Sequence, residues 1–79
     1  MVKVLGRYIV ADATVCHGKP TFVGTRILVS DVLEQVADGL DWETIEADWR
    51  GDVSKEAIGE AVRLAREILL AHERELVAG

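Results

Sequence analysis

The sequence predicts an α+β protein, mostly α, in which short amino-terminal β-strands or a hairpin precede three helices in a helix-turn-helix layout. Three observations predict it. β-prone runs are confined to the stretch before Ser30; apolar residues switch to helical spacing after Val29; and residues able to cap a helix stand at Ser30 or Asp31, at Asp41 and at Ser54.

Tyr8-Ile9-Val10 is the first β-prone run, and a second surrounds Thr21-Phe22-Val23 and Ile27-Leu28-Val29, with Gly24-Thr25 between its arms. This spacing predicts a two-residue hairpin loop with a type II′ turn at Gly24, since glycine takes positive φ without a Cβ clash. Pro20 lacks an amide hydrogen and is expected at the start or edge of its strand.

For the first helix, Ser30 or Asp31 is the expected cap, with Glu34 closing a capping box on Asp31. Val32, Leu33, Val36 and Ala37 give it a buried stripe, and Gly39 is expected to end it in the left-handed conformation. Asp41 caps a second segment in which Trp42, Ile45 and Trp49 share a face until Gly51. Ser54 caps the third helix, and Val53 packs on Ile58 as a hydrophobic staple.

No breaker follows before Gly79. The third helix is therefore expected to run from Lys55 to about Val77, roughly 35 Å at 1.5 Å per residue, with its second half projecting from the body. Ile58, Val62, Ala65, Leu69, His72 and Leu76 make one apolar seam, and Ala57, Ala61, Leu64, Ile68 and Ala71 a parallel one. One seam covers the core. That leaves Leu69, Leu70, His72 and Leu76 as a docking surface for a second copy or a different protein. The domain boundaries expected are a single domain over residues 1–79, with a β element over 1–29, a helix-turn-helix core over 30–66 and a helical extension over 67–79.

Hydrophobic residues make up 49% and charged residues 29%, the balance of a globular chain. At 79 residues the core is small, which favours self-association as a dimer or higher homo-oligomer. The apolar run Met1 to Leu5 is closed by Gly6 and Arg7, far short of a signal peptide or membrane span, so a cytoplasmic location with no membrane contact is expected. The lone Cys16 agrees with a reducing compartment.

Net charge is -5, which argues against general affinity for nucleic acid. Its distribution is uneven. Up to Arg26, the basic residues Lys3, Arg7, Lys19 and Arg26 stand against Asp12 alone, so phosphate contacts are to be sought there first. If the third helix reads DNA, Ser54, Lys55, Glu56, Gly59 and Arg63 in its first half form the reading side, away from Ile58 and Val62, although Glu56 and Glu60 oppose phosphate at the same place.

Catalytic chemistry finds little support. Cys16-His17 and the distant His72 lack a third metal ligand. The acidic residues Asp31, Glu34, Asp38, Asp41, Glu43, Glu46 and Asp48 sit where helix starts and solvated faces want them. No catalytic residue, metal or cofactor is expected, and the chain reads as a binding module.

Gly18-Lys19-Pro20, then Gly24-Thr25-Arg26-Ile27 and Val29, followed by Ala37-x-Gly39 and Trp42-x-x-Ile45, resembles the bacterial and archaeal domain of unknown function 433, a predicted antitoxin family. The resemblance runs from about Tyr8 to Ala65. It implies a homeodomain-like or winged-helix-like domain with an amino-terminal β element. It also implies a two-gene toxin-antitoxin unit whose companion is a ribonuclease toxin resembling the PIN domain. The chain departs from the family at Trp49-Arg50-Gly51, where an aromatic-Pro pair often closes the second helix. The expected function is the antitoxin of a bacterial type II pair, neutralising its toxin by protein contact and able to bind operator DNA of its own operon. The alternative is a stand-alone helix-turn-helix DNA-binding regulator.

Overall fold

Alternation of Val2, Lys3 and Val4 makes a first strand that the β-prone runs did not announce. In the computed structural model, which describes residues 1–78, β1 (Val2–Val4), β2 (Ile9–Asp12) and β3 (Pro20–Phe22) form one antiparallel sheet in the order β1-β2-β3. Lys3 pairs with Ala11, and Val10 with both Val4 and Thr21. β1 is an exposed edge, with Val4 72% accessible, so its apolar residues add nothing to the core. Pro20 opens the third strand, where its missing amide hydrogen costs least. Between β2 and β3 a single 3-10 turn, Cys16–Gly18, reverses the chain through positive φ at Cys16, His17 and Gly18.

The expected second hairpin arm is reduced to one bridge, Thr21 to Leu28. The turn also differs. The Thr25 amide donates to the Phe22 carbonyl at 3.0 Å, which puts Gly24, with φ of 76°, third of four residues as in a type II turn rather than type II′. Thr25 Oγ1 donates to the Phe22 carbonyl and accepts from the Ile27 amide, which closes the loop tightly.

Helix α1 (Val29–Ala37) starts earlier than its polar residues predict: Leu28 is the cap residue, and no side chain caps the helix. Ser30 and Asp31 fall inside the first turn instead. The reason is packing, because Val29 and Val32, three apart on one face, are both buried. At its end, Gly39 with φ of 85° bonds back to Val36 and Leu40 bonds to Gln35, the paired pattern of a Schellman stop.

Helix α2 (Trp42–Asp48) is capped as expected, with Asp41 Oδ1 accepting from the Thr44 amide at 2.7 Å. The Thr44 hydroxyl and then its amide hold the Asp41 carboxyl below its ordinary pKa, as the Thr14 amide and hydroxyl do for Asp12. The same stop pattern closes α2, but Arg50, with φ of 56°, takes the left-handed position one residue before Gly51.

Helix α3 (Lys55–Ala71) is capped by Ser54 Oγ, which accepts from the Ala57 amide at 3.1 Å, and Val53 and Ile58 are both buried. One continuous helix to Val77 is not formed. His72 leaves helical geometry, its amide shared between the carbonyls of Ile68 and Leu69, and a short α4 (Glu73–Ala78) follows. The side chains around His72 are exposed and His72 Nδ1 turns to Glu75 at 3.0 Å, so little burial supports the α register there. Gly79, the end of the expected extension, lies outside the described residues.

The core is made by Ile9 and Phe22 of the sheet, Val29 and Val32 of α1, Ile45 of α2, Val53, and Ala57, Ile58 and Ala61 of α3. Trp49 is half-buried at its margin, with Nε1 donating to Gln35 Oε1 at 2.7 Å. No helix among the described residues is long and apolar enough to cross a membrane.

A longer-range tie joins the first turn to α3. Glu60 Oε2 accepts from the Arg7 amide at 3.0 Å and Oε1 from the Tyr8 amide at 2.7 Å. Gly6 makes room for it, since a Cβ there would lie 2.4 Å from Glu60 Oε1. Hydrogen bonds to a charged acceptor contribute more than neutral ones. Glu60→Ala is expected to lower unfolding stability by about 1–3 kcal/mol in urea. Gly6→Ala should then cost little further in that background, and full additivity of the two changes would contradict the tie.

Candidate functional site

Two surfaces flank α3, and residue spacing puts them on different sides. One is a cleft of about 510 Å³ lined by Arg7, Tyr8, Trp42, Lys55, Glu56, Gly59, Glu60 and Arg63. The Glu60 tie brings Arg7 and Tyr8 here from the β1–β2 turn, while Trp42 arrives as the first residue of α2.

The Arg7 guanidinium carbon stands 5.4 Å from the centre of the Tyr8 ring. Gly59 is buried at the floor of the cleft, and a Cβ built on it would lie 3.2 Å from Arg63 Nη1 and 3.5 Å from Trp42 Cζ3. Arg63 therefore folds back over the glycine toward the indole. Lys55 Nζ meets Glu43 at 3.3 Å, an exposed pair of small energetic weight. Among the described residues the side chains of Arg7 and Arg63 make no hydrogen bond or ion pair. Glu60 is engaged by backbone amides, which leaves Glu56 as the acidic group at the rim without a partner. The arrangement offers cations lining one cleft with aromatic walls, suited to an anion that accepts forked hydrogen bonds.

The expected phosphate-contacting residues do not form one surface. Arg7, Lys55 and Arg63 meet in the cleft; Ser54 spends its hydroxyl on the cap; and Lys3 lies on the exposed edge strand. Lys19 lines the opposite flank, and Arg26 is exposed beyond the β3 turn, with its carbonyl facing Cys16 Sγ at 3.6 Å. Within the family-like motif, Gly18 and Gly24 supply positive φ, Pro20 opens a strand and Thr25 pins the turn, so these residues shape the chain.

The second surface is apolar. A groove of about 400 Å³ between β3, α1 and α3 is lined by Lys19, Pro20, Val29, Ser30, Leu33, Ala61, Leu64, Ala65 and Ile68. Beyond it α3 leaves the body, and Leu69 is 58% and Leu76 64% accessible, with Leu70 and His72 exposed between them. The break at His72 divides the expected seam, so Leu69 and Leu76 sit on different helices. Of the two seams, Ala57 and Ala61 face the core, and their row passes through half-buried Leu64 to exposed Ile68.

Cys16 is a free, half-buried thiol, and the described residues contain no group of three or more His, Cys, Asp or Glu placed to hold a metal ion. Sequence reasoning placed Lys55, Glu56, Gly59, Glu60 and Arg63 together at the start of the third helix, and it missed Tyr8 as part of the cleft. It set Trp42 on one face with Ile45 and Trp49, and the structure leaves Trp42 39% accessible while Ile45 is buried. The available signal was Gly59, since a glycine inside a helix costs about 0.5–1 kcal/mol relative to alanine and so calls for a local reason.

A family model described as a protein of unknown function, DUF433, matches residues 9–65, from the start of β2 to the middle of α3. Neither a curated protein nor a solved structure matches the chain.

Because a Cβ at residue 59 meets chiefly the movable tip of Arg63, Gly59→Ala should raise stability by about 0.5–1 kcal/mol in thermal or urea unfolding. A clear loss of stability would mean that the helix cannot shift the guanidinium aside.

Proposed function

Because the chain belongs to the DUF433 family, whose function is unknown, we propose its role from its two surfaces: it is the antitoxin of a bacterial type II toxin-antitoxin pair. It holds a PIN-like ribonuclease toxin by protein contact through the end of α3 and through α4. The observation that carries this reading is the run of exposed apolar residues, Ile68, Leu69, Leu70 and Leu76, adjoining an open apolar groove. Exposed apolar residues gathered at one end of a small domain mark an interaction surface. A partner covering it would gain about 1.5–3 kcal/mol for each leucine fully buried. A second copy of the chain is the other occupant this surface would accept, as a homodimer or higher oligomer.

A second reading is favoured by the cleft. Under it α1, α2 and α3 act as a homeodomain-like or winged-helix-like unit that turns the start of α3 toward operator DNA, either alone as a regulator or to autoregulate the antitoxin's operon. Arg7, Lys55 and Arg63 support it, because helix-turn-helix proteins present the first half of the second helix of the motif to the duplex.

Leu69→Glu should weaken capture of a PIN-like ribonuclease partner by about tenfold or more in a pull-down, with the circular dichroism spectrum unchanged. Undiminished capture would remove the docking surface. For operator binding, gel shifts of the upstream duplex should weaken as salt rises, and the slope should fall by about one when Lys55 is replaced by Ala. A duplex that never shifts at low salt would dismiss that reading.

A further inference from the structure

We infer that the cleft between the β1–β2 turn, Trp42 and α3 binds one nucleotide unit of a single-stranded nucleic acid, its phosphate among Arg7, Lys55 and Arg63 and its base against Trp42. This does not rest on the toxin-docking surface, which lies on another side of α3, and it differs from operator recognition in needing an unstacked base.

The chemistry follows from what lines the cleft. Arg7 comes from the strand turn and Arg63 from the third turn of α3, and neither guanidinium is committed to a carboxylate among the described residues. Two unpaired planar cations converging from different elements, with Lys55 at the helix start, suit a single phosphate, which accepts forked hydrogen bonds. Trp42 and Tyr8 add what a bare phosphate would not need. Trp42 is 39% accessible and borders the cleft beside Arg63, which offers aromatic surface to a flat ring. Strand-binding grooves combine these two elements, cations along the backbone and aromatic faces for the bases.

Gly59 supports the same reading from an independent direction. A buried glycine in mid-helix is unfavourable for the helix itself. Here it lowers the floor of the cleft, so that the Arg63 guanidinium and the Trp42 ring both reach within 3.5 Å of one point. Glu60 sits at the back of the cleft with its oxygens turned to the Arg7 and Tyr8 amides. Glu56 at the rim and the overall charge of -5 limit the attraction, so binding is weak and confined to low salt. At about 510 Å³ the cleft lies within the size range of small-ligand sites and admits one residue of a strand.

The test is fluorescence anisotropy of a labelled thymidine strand of about 12 nucleotides at low salt, titrated with the intact chain. A duplex of the same length, thymidine monophosphate and inorganic phosphate serve as competitors. The expected result is strand binding that weakens about tenfold in Arg63→Ala and in Trp42→Ala, each checked for an unchanged melting temperature. The milder Trp42→Phe should retain most of the affinity, which separates stacking from loss of fold. The monophosphate should compete better than inorganic phosphate, and the duplex should compete worse than the strand. No binding at low salt, equal or better competition by the duplex, or wild-type affinity in Arg63→Ala would each overturn the assignment.

Discussion

The carboxylate of Glu60 reaches across more than fifty residues of sequence to take the amide hydrogens of Arg7 and Tyr8, and the arrangement of the cleft follows from that contact. Without it the β1–β2 turn would have strand pairing and the packing of Leu5 and Tyr8 against the core to orient it. With it, the turn is fastened to the middle of α3, Arg7 and Tyr8 become a wall of the cleft, and Gly6 must lack a side chain. A charged acceptor serving two amides is also a strong form of hydrogen bond. A residue that looks like an obstacle to anion binding is thus spent on holding cationic side chains in place.

Helix α3 gives one side to the cleft and the other to the core and, further along, to the apolar groove. Ala57, Ile58 and Ala61 are buried against the sheet and the other helices. Gly59 and Arg63 belong to the cleft, while Leu64, Ala65 and Ile68 border the apolar groove. A small domain has few elements, and its longest helix touches every other layer. Past Ile68 the body no longer accompanies the helix, so the apolar row emerges into solvent and helical geometry lapses at His72. The same lack of neighbours explains both the exposure and the break.

Much of the layout was legible because local chemistry decided it. Asp41 and Ser54 cap the helices that follow them, Gly39 ends α1, and Pro20 opens β3, each through an interaction within four residues of chain. The departures have a common cause. Leu28 begins α1 without a side-chain cap because burial of Val29 and Val32 outweighs the capping preference of Ser30 and Asp31. β1 was not foreseen, because Val2 and Val4 form an edge strand through pairing with β2 rather than through a buried face.

By itself the sequence determined the α+β class, the order of β element before helices, most helix ends, and membership in a family through its glycine, proline and arginine spacing. These depend on φ preferences and on hydrogen bonds between near neighbours, which residue types state directly. Only the tertiary structure decided which cations share a cleft, what Glu60 is for, and where α3 stops being supported. Those outcomes depend on distances between residues far apart in the chain, and no local pattern encodes them.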